Sequence, residues 1–308
     1  MSFLSLLATL LIEQLRPMNP RSVVFRWYTH FVHSLGVHYN AGEKNQGTIA
    51  WCLGVLPWVL ASWVVYWYLS DINVGLGWAW NVAVLYLTLG FRQFSHAFTE
   101  ISEALRDGNL DKARRALSDW RGDSAEEFNG NEIAKVAIEE GLIGAHRHVF
   151  AIVFWFLVLP GPSGALLYRL AEILDRKWGS RPQKDFGNFG VFARQAFQIL
   201  DWIPVRLTAL GFAIAGNFED AVHCWRSQAM TWANSEQGVV LASGAGALGV
   251  RLGDTLHHHG TVSFRPEIGL GDEADANTMI SGAAMIWRAL LLWMLVLLLV
   301  TLAYWVGN

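Results

Sequence analysis

Residues 51–69 are nineteen consecutive positions without a charged side chain. As a helix rising 1.5 Å per residue, such a block is about as long as the ~30 Å hydrocarbon core of a bilayer is thick. Residues 75–91 form a second charge-free block, and the link between the two holds one Asp and no base. The pair reads as a tight transmembrane hairpin. The last block, residues 283–306, is the most hydrophobic, with leucine-rich runs at 290–292 and 295–299 and Arg288 placed near its start to snorkel. Lipid admits only helices and closed barrels, because every backbone polar group must be satisfied internally. Blocks of this length predict an all-α, polytopic helical membrane protein. Composition agrees: 53% of residues are hydrophobic and 16% charged, and the charges collect between the apolar blocks. Trp51, Trp63, Trp67, Trp78, Trp80, Trp293 and Trp305 sit near block ends, where an aromatic belt would place them.

The middle of the chain is less regular. Residues 149–159 are apolar but short, Pro160-Gly161-Pro162 interrupts them, and residues 203–215 contain a Pro and an Arg. Broken spans, re-entrant segments and interfacial helices all fit; irregular backbone at membrane depth would imply a covered pocket. Lys and Arg set the orientation. Arg16, Arg21, Arg26 and Lys44 precede the hairpin; Arg92, Arg106, Lys112, Arg114, Arg115, Arg121, Lys135 and Arg147 follow it; its turn has no base. Both basic segments therefore face the cytoplasm and the turn faces outward, as expected for a multi-pass protein of a bacterial inner membrane. The polar stretch 217–282 reads as cytoplasmic, which puts the Asn308 end outside. Between residues 92 and 148 apolar side chains recur at three- and four-residue spacings, and Asp107-Gly108-Asn109 stops one helix and starts another. This predicts a small cytoplasmic helical layer, and no segment reads as a sheet.

Other classes are disfavoured. The net charge is -3 with no dense basic run, so no nucleic-acid partner is expected. Cys52 and Cys224 form no CxxC pair and read as small buried hydrophobes. The apolar start lacks a basic lead and a small-residue cleavage site, so no cleavable leader is expected.

Several constellations could carry chemistry. His257-His258-His259 reads as a solvated loop, with a metal site involving Asp254 or Asp272 as the sharper alternative. His146-Arg147-His148, beside an apolar block, suits an anion or the headgroup layer. Gly244-Ala245-Gly246-Ala247-Leu248-Gly249-Val250-Arg251 suits close helix packing, or a phosphate approached by bare backbone. Asp201 and Arg206 place a carboxylate and a guanidinium at a membrane entry point, either pairing with each other or serving function. Arg169, Glu172, Asp175 and Arg176 fall at helical ion-pair spacings, and could instead line a cavity.

Four blocks in order give the chain a family likeness over roughly residues 90–300. They are Leu110-Asp111-Lys112-Ala113-Arg114-Arg115-Ala116-Leu117; the stretch 154–175 with its Gly164-Ala165-Leu166-Leu167-Tyr168 core; Asp201-Trp202-Ile203-Pro204-Val205-Arg206-Leu207-Thr208; and residues 245–253 followed by Arg265-Pro266 and Leu270-Gly271-Asp272. The sequence resembles the CobD/CbiB proteins and their relative AmpE, so that residues 1–308 read as a single CobD/CbiB-like membrane domain. It would carry a cytoplasmic helical insertion at about 92–148 and a cytoplasmic Gly-rich segment at about 217–282. The N-terminal string, with Glu13, is more similar to AmpE. The resemblance implies a synthase that joins aminopropanol, or its phosphate, to adenosylcobyric acid, with ATP and magnesium.

The sequence departs from that pattern where oxygen donors are expected. A Glu-Asn-Thr-Ser-Asp-Gly string is replaced by Ile143-Gly144-Ala145-His146-Arg147-His148, and an Asp-Ser-Met string by Asp175-Arg176-Lys177. An Asp-Asp pair becomes Phe197-Gln198, and the Asn of the Trp-Pro block becomes Asp201. Such a pocket favours an anion over a cation. The principal expectation is therefore an AmpE-like ligand-binding, regulatory or accessory protein. Arg206, Arg251, Gly246, Gly249, His146 and His148 would bind an anionic or corrinoid-related small molecule, and no metal site is expected. The alternative is a working adenosylcobinamide-phosphate synthase, using ATP and magnesium, with Asp175 and Asp201 as catalytic candidates. Membrane lipid is the expected surrounding partner, and oligomer formation stays open.

Overall fold

A computed structural model describes residues 2–15, 23–179, 187–258 and 261–307. Arg16 and Arg21, two of the basic residues ahead of the hairpin, lie outside the described residues. The chain folds into two compact units: Met1–Gly90 with Ala151–Trp202, and Phe91–Phe150 with Ile203–Asn308.

The first unit holds α1 (Ser2–Leu15), α2 (Val23–Tyr39), α3 (Lys44–Ile72), α4 (Val74–Thr88), α8 (Ala151–Val158), α9 (Ser163–Leu174) and the first half of α10 (Val191–Ala215). The predicted hairpin is α3 and α4. They meet at Asn73, whose backbone N–H donates to the Leu69 carbonyl while its side chain accepts from the Gly75 N–H at 2.7 Å, closing α3 and capping α4. Leu53, Leu60, Val64 and Trp67 of α3 are exposed, and only 28% of its most apolar window is buried. A helix that turns its leucines outward is made for a hydrocarbon solvent. Gly54 packs where a methyl would sit 3.2 Å from the Leu174 side chain, which lets α9 approach closely.

The second unit holds α5 (Phe91–Arg106), α6 (Leu110–Arg121), α7 (Gly130–Ala145), the second half of α10, α11 (Phe218–Gln228), α12 (Ser235–Leu248) and α13 (Ala276–Gly307). The expected stop and start between α5 and α6 is present: Gly108 takes φ +71° and Asn109 caps α6 by accepting from the Lys112 N–H. A reciprocal capping box between Asn129 and Glu132 opens α7.

Among the described residues, four helices are long and apolar enough to cross a membrane: Lys44–Ile72, Gly130–Val158, Val191–Ala215 and Ala276–Gly307. The irregular middle is thereby corrected. Residues 149–159 are not a short broken segment; they end a helix begun at Gly130, whose ladder continues through a π turn at His146–Phe150. Residues 203–215 end a helix begun at Val191, which carries Pro204 inside. The Pro160-Gly161-Pro162 interruption is a true break, with Gly161 at φ +63°. The aromatic belt is also corrected in part. Trp63, Trp67 and Trp305 are exposed, but Trp51 is buried edge-on against Phe192 and Trp293 packs on Phe150. Cys224 is buried and Cys52 half-buried.

Strands were not foreseen. Residues 250–273 carry β1 (Val250–Leu252), β2 (Leu256–His258), β3 (Thr261–Ser263), β4 (Ile268–Gly269) and β5 (Asp272–Glu273). β1 pairs antiparallel with β4 and parallel with β5, and β2–β3 is a hairpin. The strands are two or three residues long, below the window in which period-two patterning becomes readable.

Candidate functional site

In the first unit, α9 runs into a second π turn, Asp175–Gly179. The predicted ion pairs form: Arg169 donates to Glu172 at 3.0 Å and Arg176 stands 3.8 Å from the other Glu172 oxygen. Glu172 is 2% exposed, so these cations compensate a carboxylate removed from water. Asp175 is buried, and a methyl on Gly179 would crowd its Oδ1, so the glycine leaves that carboxylate room in its present place. Asp201 is buried on α10 and accepts a 2.8 Å hydrogen bond from the Tyr168 hydroxyl, itself fully buried. Both catalytic candidates thus belong to this unit. Tyr168, in the sequence only the end of the Gly164–Tyr168 block, carries the phenolic O–H that makes a buried Asp201 tolerable.

In the second unit, His146 opens the π turn of Gly130–Val158, and its Nδ1 lies 2.9 Å from the Thr208 hydroxyl on α10. Both residues are buried, at 2% and 0% exposure. One step along α10, the Ala209 carbonyl accepts from the Ser243 hydroxyl of α12 at 2.8 Å. Three helices are tied by buried polar contacts, and π turns within long helices often mark functional positions. Arg147, His148 and Arg206 are half-buried in the same unit.

The Gly-rich string forms α12 and its cap. A methyl on Gly246 would stand 2.5 Å from the Asp220 carbonyl, so this glycine allows α11 and α12 to touch. Gly249 ends α12 at φ +67°. Arg251 follows on β1 with its side chain half-exposed, 3.5 Å from Glu267. Close helix packing accounts for Gly246, as the sequence allowed.

The largest surprise is the polar face of α7. Glu132, Lys135 and Glu139 are all nearly buried and hold the strand-bearing segment in place. Glu139 accepts from the Gly253 N–H at 2.9 Å and from Arg265 at 2.5 Å. Lys135 pairs with Asp254 at 3.5 Å, and Asp254 sits at φ +65°. The Thr255 N–H, and then Lys135, hold the Asp254 carboxyl below its ordinary range. Glu132 accepts from the His257 backbone N–H and ring Nδ1, at 3.1 and 2.7 Å. His257 is therefore tied to a buried acid and not merely solvated; the His258 side chain and His259 lie outside the described residues. Sequence reading saw the apolar Ile133, Val136 and Ala137 of α7 and missed the acids. Their i, i+3, i+7 spacing was the available signal.

Among the described residues, no three His, Cys, Asp or Glu side chains gather as ligands for a metal ion.

The comparisons with known proteins point one way. A family model described as CobD/Cbib protein matches residues 3–287. The chain is 34% identical to the cobalamin biosynthesis protein CobD of Stutzerimonas stutzeri over 300 residues, covering 96% of this chain and 97% of the relative. It is 35% identical to a CobD of Chromobacterium violaceum, with 81% and 78% covered, and 26% identical to the cobalamin biosynthesis protein CbiB of Salmonella typhimurium, with 78% and 77% covered. No solved structure matches. With the family model spanning nearly the whole sequence, this helical membrane protein belongs to the CobD/CbiB family.

Proposed function

We propose that this protein serves cobalamin biosynthesis in the bacterial inner membrane, at the amide-forming step that joins aminopropanol or its phosphate to adenosylcobyric acid. The observation that carries the reading is the near end-to-end likeness to a protein named for cobalamin biosynthesis. That likeness favours the synthase over the AmpE-like regulatory role expected first from the altered strings, since the similar proteins above are named for cobalamin biosynthesis. Arg206 and Arg251 supply cations for an anionic substrate, and Asp175 and Asp201 supply buried carboxylates.

Magnesium takes hard oxygen donors. The stretch where the family carries acids and amides here presents a buried imidazole bonded to Thr208, then Arg147 and His148. These residues do not fit the metal, and any role for magnesium lies outside them. ATP as the activating co-substrate belongs to the same proposal.

The test is genetic and then biochemical. Expression in a strain lacking its CobD/CbiB synthase should restore growth that depends on cobalamin made from adenosylcobyric acid. Purified protein given ATP, magnesium, adenosylcobyric acid and aminopropanol phosphate should form the amide, and Asp201→Ala should lower the rate. Full expression without either outcome would refute the synthase reading and restore the regulatory one.

A further inference from the structure

α2 is an unusual neighbour for a membrane span. Its 17 residues include Arg26, His30, His33 and His38 and no acid, and it is not among the helices apolar enough to cross a bilayer. Its faces are sharply sorted. Tyr28, Val32 and Gly36, at i, i+4 and i+8, are buried, and the Tyr28 hydroxyl donates to the Gly54 carbonyl of α3 at 3.0 Å. On the far side Arg26, His30, His33 and Val37, at i, i+4, i+7 and i+11, are all exposed. Trp27 and Phe31 stand along one edge between these faces. Their rings stack 5.9 Å apart, and each meets the Trp58 ring of α3 edge-on, at 5.4 and 6.0 Å. Trp27 is 55% exposed and Trp58 36%, so this aromatic edge is open surface and not core.

The two helices cross. Trp27, Tyr28 and Phe31 meet α3 at Gly54 and Trp58, and a methyl on Gly54 would stand 3.8 Å from the Leu35 side chain. Residues 27–35 cover about 12 Å of α2 while residues 54–58 cover about 6 Å of α3, so α2 runs across the span and not along it. Gly54 and Trp58 fall in the first two turns of the charge-free run 51–69, on the side of Lys44. The crossing therefore stands near one end of the span, at the depth where interfacial helices lie. Among the described residues, the side chains of Arg26, His30 and His33 bond no carboxylate. The π turn Asp175–Gly179, which also packs on α2, adds Arg176 and Lys177 beside a buried Asp175. An exposed basic stripe, an aromatic edge and a lipid-facing span meet on one surface. Guanidinium and imidazole N–H groups suit phosphate oxygens, and the stripe repels the quaternary ammonium of a zwitterionic lipid.

We propose that α2 lies in the membrane interface and binds anionic phospholipid headgroups: Arg26, His30 and His33 take the phosphate oxygens, while Trp27, Phe31 and Trp58 rest against the acyl chains. The test titrates full-length protein, in micelles of a neutral detergent, with phosphatidylglycerol and with phosphatidylcholine of the same chains. Bound lipid is counted by native mass spectrometry. Phosphatidylglycerol should bind at least about fivefold more tightly, the scale of one basic side chain at an anionic surface. Arg26→Gln should weaken phosphatidylglycerol about fivefold, as should His30→Ala and His33→Ala combined, with phosphatidylcholine unchanged in both. Trp27→Ala should weaken the two lipids alike, a split that general damage to the fold would not produce. Arg115→Gln, at an exposed position on α6, should change neither. Equal binding of the two lipids by the unmodified protein would overturn the proposal. So would a preference that survives loss of Arg26, His30 and His33 together. Displacement of phosphatidylglycerol by inorganic phosphate at equal concentration would overturn it in favour of a soluble anion.

Discussion

Glu139 offers a sharp test of how the strand-bearing segment is held. Its two oxygens serve two elements: Oε1 accepts from the Gly253 N–H at 2.9 Å and Oε2 accepts from Arg265 at 2.5 Å. Removing the carboxylate leaves a buried N–H without its acceptor and a guanidinium without its charge partner. Hydrogen bonds to charged groups contribute roughly 1.5–3 kcal/mol each, and losing one partner of a buried pair costs about 3–5 kcal/mol. Arg265 keeps 21% of its side chain exposed, which lets water recover part of the loss and favours the lower end. Glu139→Ala should therefore cost about 3 kcal/mol, and Glu139→Gln, which keeps a neutral acceptor for Gly253, about 1–2 kcal/mol. The assay is hydrogen exchange in nanodiscs, read by mass spectrometry on peptides covering residues 250–273, with a thermal melt in parallel. Protection there should fall strongly in the Ala variant and modestly in the Gln variant, while α3 peptides are unchanged. Equal protection in wild type and Glu139→Ala would refute the view that this buried acid organises the segment.

Further outcomes follow from the same contacts. Gly246→Val should uncouple α11 from α12, because the added carbons meet backbone of Asp220 and Ala221 that cannot swing aside; a melting temperature well below that of Gly282→Ala, where a methyl meets only ordinary contacts, is expected. Asp275 caps α13: its carboxylate accepts from the Thr278 N–H at 2.7 Å, and Thr278 Oγ1 accepts from the Asp275 N–H at 2.7 Å. The Thr278 N–H lowers the Asp275 carboxyl from its ordinary 3.8, so its stabilisation is complete above about pH 4 and is lost as pH falls through the depressed value. Asp275→Ala should cost about 1 kcal/mol at neutral pH and nothing further in strong acid, by melts across pH. Reporters fused after Asn73 and near Asn109 should signal opposite faces of the membrane; the same face for both would end the orientation argument drawn from Lys and Arg.

Some of this architecture was legible in the residues and some was not, for physical reasons. Long charge-free blocks declare themselves because lipid imposes one requirement over many consecutive positions. The hairpin at Asn73 and the stop at Gly108 were therefore readable. The span Gly130–Val158 was missed because its first half buries Glu132, Lys135 and Glu139, so hydropathy alone cuts it in two. Beyond the local capping contact of Glu132 with Asn129, the partners that make those charges tolerable are Gly253, Asp254, His257 and Arg265, which lie more than a hundred residues away. The same holds for Asp201. The sequence marked it as a costly acid near an apolar segment, but not that Tyr168 would satisfy it.

The two π turns connect the backbone to the altered chemistry. A π turn widens the helix by one residue and lacks the regular spacing of its neighbours, so a long helix keeps one where the redirected side chains matter. Here one turn spans His146–Phe150 and the other Asp175–Gly179. Two of the four replacements that the resemblance implies overlap these turns, at Ile143 to His148 and at Asp175-Arg176-Lys177; the other two, Phe197-Gln198 and Asp201, lie on the regular ladder of α10. Guanidinium at such points repels a bare divalent cation and attracts phosphate or carboxylate, and neutral imidazole is a poor ligand for magnesium, which takes oxygen donors. If the proposed amide-forming step is this chain's, any metal-binding oxygens would have to stand elsewhere, on Asp175, Asp201 or the nucleotide itself. Loss of amide formation in Asp175→Asn and Asp201→Asn, with His146→Ala still active, is the pattern that this relocation requires.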